Sequence, residues 1–482
     1  MARVLLINTN VMQPPVSPVG LDYVASAVEA SGHEVMLLDL AFVARDATLD
    51  ETARSILRNS PDVIGLSVRN TDDCSMATRE FLLPQTAQLI QLIKARTEAP
   101  VVVGGIGFST LPKSAFLFLG PDYGIAGDGE LAFPELVETL VSGRAVDEIP
   151  GLLWLKNGQR LVVNPPDRID LNEWPLPLRR HVDNALYLRR GGMVGIETKR
   201  GCPMDCIYCA DPIAKGRRVR ARPPARVVEE IQDLLDQGVD VYHTCDSEFN
   251  VPASHGAAVC EAIAAAGLGD RIRWYAYCAP AGFDAATARL YRRAGCQGIN
   301  FGVDSGSDLM LQTLGRAHRR EDIACAVQSA RAAGMATMID LLLGGPGESF
   351  ETLRETFEMA RSVGADRVGL SIGLRVYPGT PLAAELFGER SRQVHGALAA
   401  DETQPDLLEP FFWTEPSIRD TLGDYVRGLV AGDPRFFFLD PAAAGANYNY
   451  SNNATLLRAI AKGYRGAFWD ILRRDAEGLP LE

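Results

Sequence analysis

The residues best suited to chemistry are three cysteines that lie within eight consecutive positions. Cys202, Cys206 and Cys209 form a C-x3-C-x2-C pattern, and Tyr208 stands directly before the last cysteine. Four thiolates would complete either a zinc site or a cubane iron–sulfur cluster. Three thiolates hold only three corners of a 4Fe–4S cluster, so the fourth iron stays open to a cofactor or substrate. A structural zinc site is the alternative, but no nearby Cys or His supplies its fourth ligand.

The composition predicts a large, soluble, intracellular protein. A chain of 482 residues is too long for one ordinary core, so we expect two or three domains. No apolar run is long enough to span a membrane. The net charge of −13 disfavours nucleic acid as a partner. The other six cysteines are scattered, which argues against a disulfide framework and, together with an oxygen-sensitive cluster, predicts the reducing cytoplasm.

Residues 1–145 alternate between short apolar strands and helices. This alternation predicts a parallel sheet covered on both faces, in a flavodoxin-like, doubly wound domain. Such a sheet binds ligands at the carboxyl ends of its strands, and those ends are polar or rich in glycine here. The predicted strands are Val4–Asn8, Glu34–Leu40, Val63–Val68, Val101–Ile106 and Tyr123–Ala126.

Residues 146–192 are predicted to connect two domains. A hairpin spans residues 151–163, where Asn157-Gly158 suits a type I′ turn. A proline-rich stretch that includes Pro175 and Pro177 follows the hairpin. This stretch is too polar and irregular to form a core element, so we interpret it as a linker.

Residues 193–385 hold six further strand–helix units. Six units predict a partial (β/α)6 barrel, and barrels carry out their chemistry at the carboxyl ends of the strands. The cysteine loop follows the first of these strands and therefore lies at that end. The predicted strands lie near Met193–Thr198, Val241–Thr244, Ile272–Tyr277, Gly298–Val303, Met338–Leu343 and Arg367–Arg375.

Residues 386–482 have no strand–helix repeat and are rich in aromatic side chains. A small, mostly helical region that packs its own core would explain this composition. We expect the same region to cap the substrate pocket.

The cysteine pattern with Tyr208 resembles the signature of the radical S-adenosylmethionine (SAM) enzymes, and the resemblance covers residues 193–385. It implies that Cys202, Cys206 and Cys209 hold a 4Fe–4S cluster, and that SAM chelates the open iron through its amino and carboxylate groups. Short motifs at the strand ends imply further SAM contacts. These are Tyr208, Asp246, Ser247, Glu248, Asp304, Ser305, Gly345, Glu348 and Arg375. For Asp304 and Glu348, capping of the next helix is an alternative.

An α/β domain placed before such a barrel resembles the cobalamin-binding subclass of radical SAM enzymes. The segments 18–25 and 127–130 carry this resemblance, together with Gly104-Gly105. It implies that cobalamin is held by Asn10, Ser67, Gly104, Gly105, Gly127, Gly129 and Glu130. The loop after the first strand lacks the histidine that ligates cobalt in many cobalamin domains, and His33 is expected at the opposite end of the sheet. A domain that has lost cobalamin and only supports the barrel is the alternative.

Four side chains are candidates for contact with the substrate. His243 and Cys245 flank the end of a barrel strand beside Asp246 and are candidates for facing the substrate or carrying a proton. Tyr275 and Tyr277 share one face of the next strand because their spacing has a period of two. They either fill the barrel or contact the substrate.

The resemblance implies a cobalamin-dependent radical SAM methyltransferase with a small or medium-sized substrate from a biosynthetic pathway. A radical derived from SAM would activate a carbon, and methylcobalamin would deliver the methyl group to it. A one-electron donor such as flavodoxin or ferredoxin would reduce the cluster.

Three other functions are compatible with parts of this pattern. A cyclase or ring-rearranging enzyme of the same subclass would carry the same motifs. A tRNA methylthiotransferase is disfavoured because that family needs three cysteines in its N-terminal domain, where this chain has only Cys74. A non-catalytic module that binds cobalamin and SAM is disfavoured by the complete cysteine triad.

Overall fold

The computed structural model describes residues 1–172, 179–388, 407–438 and 450–481. The part of the predicted linker that holds Pro175 and Pro177 lies outside these ranges. So do residues 389–406 and 439–449 of the predicted aromatic cap. No helix within the described ranges combines the length and the apolar character that crossing a membrane requires.

The first sheet is built from β1 (Arg3–Asn8), β2 (Glu34–Asp39), β3 (Val63–Ser67), β4 (Val101–Gly104), β5 (Tyr123–Ile125), β6 (Leu152–Lys156) and β7 (Arg160–Val163). The order is β2-β1-β3-β4-β5-β6-β7, and β1 to β5 pair in parallel. Successive residues of β1 point to opposite faces, so Leu5 and Ile7 enter one core while Val4 and Leu6 enter the other. The predicted doubly wound fold is confirmed.

Helices cover both faces of this sheet, and we call the sheet with these helices the N-terminal unit. The helices are α1 (Val19–Ala30), α2 (Thr48–Asn59), α3 (Leu83–Lys94), α4 (Ile106–Thr110), α5 (Pro112–Leu119) and α6 (Gly129–Ser142).

The predicted hairpin is part of the first sheet rather than a free connector. Its strand β6 pairs antiparallel with β5, and β7 pairs with β6. Leu152 and Leu153 are fully buried, and Trp154 is nearly so. The apolar run on β6 therefore extends the sheet because it gains a core to pack against.

The second sheet is the barrel, with β8 (Gly195–Ile196), β11 (Val241–Thr244), β12 (Arg273–Cys278), β13 (Cys296–Asp304), β14 (Ala336–Leu343), β15 (Arg367–Ile372) and β18 (Phe436–Phe438). The order is β18-β15-β14-β13-β12-β11-β8, with all neighbours parallel. Two short antiparallel pairs flank it, formed by β9 (Lys199–Arg200) with β10 (Arg220–Ala221) and by β16 (Leu374–Arg375) with β17 (Phe412–Trp413).

The helices of this half pack outside the barrel or follow it. They are α7 (Asn184–Arg189), α8 (Asp211–Lys215), α9 (Pro224–Asp236), α10 (Ala253–Ala265), α11 (Ala285–Arg293), α12 (Asp308–Thr313), α13 (Arg320–Ala332), α14 (Phe350–Val363), α15 (Pro381–Phe387), α16 (Arg419–Val430), α17 (Ala454–Lys462) and α18 (Phe468–Glu477).

The C-terminal region contributes more to the barrel than its sequence suggests. Strand β18 adds to the edge of β15, and Phe436 stacks on Phe357 of α14 with ring centroids 5.3 Å apart. The region is therefore helical only in part, because an aromatic strand covers an edge that would otherwise be exposed.

Side-chain alternation decides which barrel residues face the inside. Tyr242, Trp274 and Ala276 join the large core beneath the helices. Because neighbours on a strand point to opposite faces, His243 and Tyr275 point into the barrel.

A buried ionic cluster joins the N-terminal unit to the barrel. Arg179 is fully buried, and it donates hydrogen bonds to Asp22 of α1 at 2.9 Å and to Glu230 of α9 at 2.5 Å. Glu230 also accepts from the Tyr23 hydroxyl at 2.9 Å and from Arg222 at 2.5 Å. Asp22 and Tyr23 belong to the N-terminal unit, whereas Glu230 and Arg222 belong to the barrel. The cluster therefore fixes how the two halves meet.

Replacement of Arg179 by methionine tests this cluster. Without the guanidinium, Asp22 and Glu230 stay buried with a partner missing, so we expect Arg179→Met to lower the free energy of unfolding by about 3–5 kcal/mol. Urea denaturation near neutral pH measures the loss. The control is Arg180→Met, which removes an exposed ion pair with Glu29 at 2.8 Å and should cost below about 1 kcal/mol. Equal, small losses in both variants would contradict the assigned role of Arg179.

Candidate active site

The three predicted cluster ligands lie in the loop between β9 and α8. Gly201 begins the loop with φ of +93°, and a Cβ atom there would lie 2.2 Å from the carbonyl oxygen of Arg218, so glycine is required. Cys202 and Cys206 are buried, Cys209 is half-buried, and all three are free of disulfides. Burial raises the pKa of each thiol, to about 12 for Cys209. These thiols therefore need a nearby cation in order to ionise.

The ligand geometry does not suit a single metal ion. Within the described ranges, no three His, Cys, Asp or Glu side chains converge closely enough to hold one ion. The ligands of a structural zinc must converge in this way, whereas cysteines that bind separate irons of a cluster need not. The loop therefore fits the predicted cluster better than the zinc alternative.

Arg316, which the sequence analysis missed, links the cysteine loop to two barrel strands. Its Nη1 donates to Sγ of Cys206 at 3.0 Å, while its Nε lies 3.4 Å from Asp304 and its Nη2 lies 3.6 Å from Glu248. The Tyr208 hydroxyl donates to the same Asp304 carboxylate at 2.5 Å. One guanidinium thus balances the acidic groups gathered beside the cysteines.

The two acidic residues predicted to bind SAM after β11 have different surroundings. Asp246 accepts hydrogen bonds from the Thr198 amide at 2.9 Å, the Thr198 hydroxyl at 2.5 Å and the Lys199 amide at 3.2 Å. Both of its oxygens therefore brace the strand that leads to the cysteine loop. Glu248 has a buried oxygen, Oε2, without a hydrogen-bond partner among the described residues. Burial raises the pKa of Glu248 to about 7. A free carboxylate oxygen suits an ammonium group, so Glu248 fits the SAM prediction better than Asp246 does.

Two predicted hydroxyl contacts already have protein partners. Ser247 donates to Asp211 at 2.5 Å, and the hydroxyls of Ser305 and Thr356 lie 2.9 Å apart. Gly345 lies in the loop after β14. The SAM contacts of Ser247, Ser305 and Gly345 stay predictions.

Glu348 and Arg375 are also engaged by the protein. Glu348 accepts from the Gly344 amide at 3.0 Å and from the Thr352 hydroxyl at 2.8 Å, whereas the cap of α14 is Ser349, so Glu348 braces the loop before the helix and does not cap it. Arg375 donates to Asp72 of the N-terminal unit at 3.1 Å, and its other nitrogens donate to main-chain carbonyls. These contacts occupy the groups that were predicted to meet SAM, so the SAM contacts of Glu348 and Arg375 stay predictions.

A cavity of about 690 Å³ lies where the carboxyl ends of the two sheets meet. Most of the predicted cobalamin residues form one wall, namely Ser67, Gly104, Gly105, Gly127, Gly129 and Glu130. Gly105 has φ of +99°, and a Cβ atom there would lie 2.5 Å from the carbonyl oxygen of Val68. Asn10 lies outside the wall, and its buried Nδ2 has no described partner. A glycine-lined wall with an unpartnered amide nearby fits a bulky ligand that carries hydrogen-bond acceptors.

The histidine of the N-terminal unit lies beside the amino end of β1, whereas this wall lies at the carboxyl ends of the strands. His33 Nδ1 accepts from the Ala2 amide at 3.2 Å, beside the start of β1. The prediction that His33 lies at the opposite end of the sheet is therefore confirmed.

Glu130 belongs to a second ionic cluster between the two halves. Arg200 donates to both oxygens of Glu130, and its Nε donates to Glu197 at 2.9 Å. Its Nη1 also lies 3.3 Å from Asp128. Arg200 stands two residues before Cys202, so this cluster ties the acidic loop of the N-terminal unit to the cysteine loop. The Glu130 carboxylate is therefore held by protein.

Of the substrate candidates, the cavity wall contains His243, Cys245 and Tyr277. Tyr275 lies deeper, where its hydroxyl donates to Asp470 at 2.8 Å and its ring meets Trp469 edge-on. Filling of the barrel is therefore the better interpretation of Tyr275. Aromatic residues of the C-terminal region complete the wall, namely Tyr450, Phe468 and Trp469. Arg69 also lines the cavity, and no pattern in the sequence marks it apart from its place two residues after Ser67.

Comparison with known proteins identifies the family. The radical SAM superfamily matches residues 196–360, and the B12 binding domain matches residues 6–137. The tryptophan 2-C-methyltransferase of Streptomyces laurentii is 30% identical, over 97% of this chain and 95% of its own length. The chain belongs to the cobalamin-dependent radical SAM methyltransferases.

Solved structures agree with this assignment. The radical SAM methyltransferase TsrM from Kitasatospora setae, with tryptophan and a SAM analogue bound, matches with a TM-score of 0.90 at 31% identity, over 99% of this chain and 98% of its own. The same enzyme with cobalamin and a 4Fe–4S cluster bound gives a TM-score of 0.88 at 30% identity, with the same coverage. The predicted family, fold class and cofactor set of this methyltransferase are confirmed, whereas the individual ligand residues remain to be tested.

Alanine substitutions test the cluster ligands of this methyltransferase. Cys202→Ala, Cys206→Ala and Cys209→Ala should each fail to retain iron and sulfide after anaerobic reconstitution, because each removes one of three thiolate ligands. Chemical analysis of iron and sulfide per chain measures the loss. The matched control is Cys325→Ala, an exposed cysteine outside the loop, which should load normally. Full iron content in a loop variant would refute that cysteine as a ligand.

Proposed function

We propose that this enzyme methylates a carbon of tryptophan or of a closely related indole amino acid. The observation that carries the proposal is the 30% identity to a tryptophan methyltransferase across nearly the whole of both chains. The match to TsrM, which holds tryptophan, supports the same substrate class.

The cavity has the surfaces that such a substrate needs. Tyr277, Tyr450 and Phe468 offer apolar rings against which an indole can pack. Charged groups of both signs line the same wall, among them Lys215 and Glu197. The rings therefore suit the indole side chain, whereas Lys215 and Glu197 already pair with Asp211 and Arg200.

The residues of the site fit the family's cofactors. We propose that Cys202, Cys206 and Cys209 hold the 4Fe–4S cluster, that Glu248 holds the ammonium group of SAM, and that the glycine-lined wall holds cobalamin. When bound, these groups supply the reducing electron, the methyl source and the methyl carrier. The protein's own part is to orient the substrate and to exclude water. Asp246 and Arg316 position the cysteine loop for this purpose.

The electron donor and the cellular compartment of the enzyme follow from the chemistry of its cluster. A reduced cluster needs a one-electron donor, for which a flavodoxin or ferredoxin is suited, and a reducing compartment such as the cytoplasm. The net charge of −13 disfavours a nucleic-acid substrate.

Product analysis tests the proposed function. The chain is reconstituted anaerobically with iron, sulfide and cobalamin, then supplied with SAM, tryptophan and a one-electron reductant. Mass spectrometry should detect tryptophan with one added methyl group, formed together with S-adenosylhomocysteine. The Cys206→Ala variant, treated in the same way, should form no methylated product.

Two results would contradict the proposal. SAM consumption without methylation of tryptophan, tryptamine or indole-3-propionate would exclude the indole substrate class. A product that has no added carbon but a new ring would favour the cyclase alternative.

A further inference from the structure

His243 is positioned at the cavity by the barrel strands themselves. It pairs in register with Gly195 of β8 and with Tyr275 of β12. Its ring contacts the ring of Tyr277, with centroids 5.2 Å apart and planes at 50°. Both rings belong to the cavity wall. The imidazole is thus held by regular structure rather than by a loose loop, which favours precise placement against a bound substrate.

The backbone fixes the tautomer of His243. Its Nδ1 lies 2.9 Å from the carbonyl oxygen of Thr244. A carbonyl oxygen only accepts, so Nδ1 carries the hydrogen and, in the neutral ring, Nε2 carries a lone pair. In the described part of the chain, Nε2 has no hydrogen-bond donor, and it is not sealed off by protein. A proton acceptor is therefore open to the cavity.

The surroundings of His243 keep its ring neutral near pH 7. Burial lowers the pKa of His243, and the bond to the Thr244 carbonyl only partly offsets this effect. The titratable and charged groups that share the cavity wall with His243 are Glu197, Cys245, Tyr277, Tyr450, Lys215, Arg69, Asp211, Asp246, Arg200, Glu130 and Asp128, and Tyr275 is its neighbour on β12. Burial raises the pKa of both Cys245 and Tyr277 to about 12, so neither titrates near neutral pH.

The other wall groups are less suited to accept a proton. A thiol or phenol with a pKa near 12 keeps its own proton at neutral pH. The carboxylate of Glu197 is engaged by Arg200 at 2.9 Å. His243 has a free lone pair and an uncharged ring, which is the state that a general base needs.

Methylation of a carbon by SAM releases one proton when the methyl group is transferred in a polar step, in which the substrate hydrogen is not removed as an atom by a SAM-derived radical. The sulfur–methyl bond breaks with its electron pair left on sulfur, which yields S-adenosylhomocysteine. A carbon–methyl bond forms, the carbon–hydrogen bond breaks with its electron pair left on the substrate, and the proton departs. We propose that His243 accepts this proton at Nε2 and so acts as the general base of the methyl transfer. The proposal takes this polar step, and it rests on the proposed function, because it takes an indole amino acid as the substrate.

The kinetics of His243→Gln test this role in the reconstituted enzyme. Loss of a general base should lower kcat with tryptophan by about 10²-fold or more, with KM nearly unchanged. In the wild type, kcat should fall as the pH drops through the lowered pKa of His243, because the protonated ring cannot accept. The variant should lack this acidic limb. If the fall of kcat at low pH instead comes from protonation of Glu197, the fall will persist in His243→Gln, and that result overturns the proposal.

A second measurement does not depend on turnover. In the full chain labelled with ¹⁵N-histidine, the signals that vanish in His243→Gln belong to His243. They should show the neutral tautomer with hydrogen on Nδ1 at pH 7, and a titration below that of free histidine. A ring protonated at pH 7, or one with hydrogen on Nε2, would overturn the proposal.

Matched variants separate catalysis from support of the barrel. The control is His33→Gln, a buried histidine at the far end of the N-terminal unit, which should keep the wild-type kcat and pH profile. In His243→Ala, added imidazole should restore part of the lost rate, since the side chain leaves space for it. Unchanged kcat in both His243→Gln and His243→Phe overturns the proposal. The proposal is also overturned if the His243 variants lose tryptophan binding, measured by calorimetry, and imidazole does not restore the rate of His243→Ala.

These outcomes are distinct from a failure of the proposed function. If the wild type methylates no indole compound, the substrate assignment fails, whereas the tautomer and titration of His243 are still measured by NMR. If the wild type methylates tryptophan and the variants do so equally well, only the role of His243 fails.

Discussion

Buried contacts between carboxylates and guanidinium groups hold the two halves of the enzyme face to face. Arg179 bridges Asp22 and Glu230, and Arg200 bridges Glu130 and Glu197. Charges removed from water are stable only when they are paired in good geometry, so each cluster is satisfied in one relative placement of the two sheets. This placement brings the carboxyl ends of both sheets to one cavity. These pairs therefore help to hold the site together.

The same pairs connect the fold to the chemistry. Arg200 stands two residues before the first cysteine, and Asp246 braces the strand that leads into the same loop. Arg316 then contacts Cys206 and the acidic groups at the strand ends. The cysteine loop is thereby fixed from the N-terminal unit on one side and from the barrel on the other. A transfer between cofactors held by separate halves requires such rigid placement.

Local patterns in the sequence predicted the strands, the helices and the cysteine loop, but they did not predict the contacts between residues that are distant in sequence. The cysteine spacing and the apolar strands are short-range signals, so the loop, the doubly wound sheet and the barrel were predictable. Arg316 and Arg179 are single charged residues whose partners are far away in sequence, and nothing near them marks their role. Tyr275 and Tyr277 share a face of β12, but only the packing of Trp469 places Tyr275 below the cavity. The joining of β6 and β18 to the sheet edges likewise depends on partners distant in sequence.

A crystal structure of the anaerobic enzyme with cobalamin, a SAM analogue and tryptophan would show whether the joined carboxyl ends of the two sheets form the substrate site. We expect tryptophan in the cavity between the two sheets, with its ring against Tyr277 and its reacting carbon turned towards His243. Tryptophan bound elsewhere, for example in the neighbouring pocket lined by His33 and Glu138, would contradict this expectation.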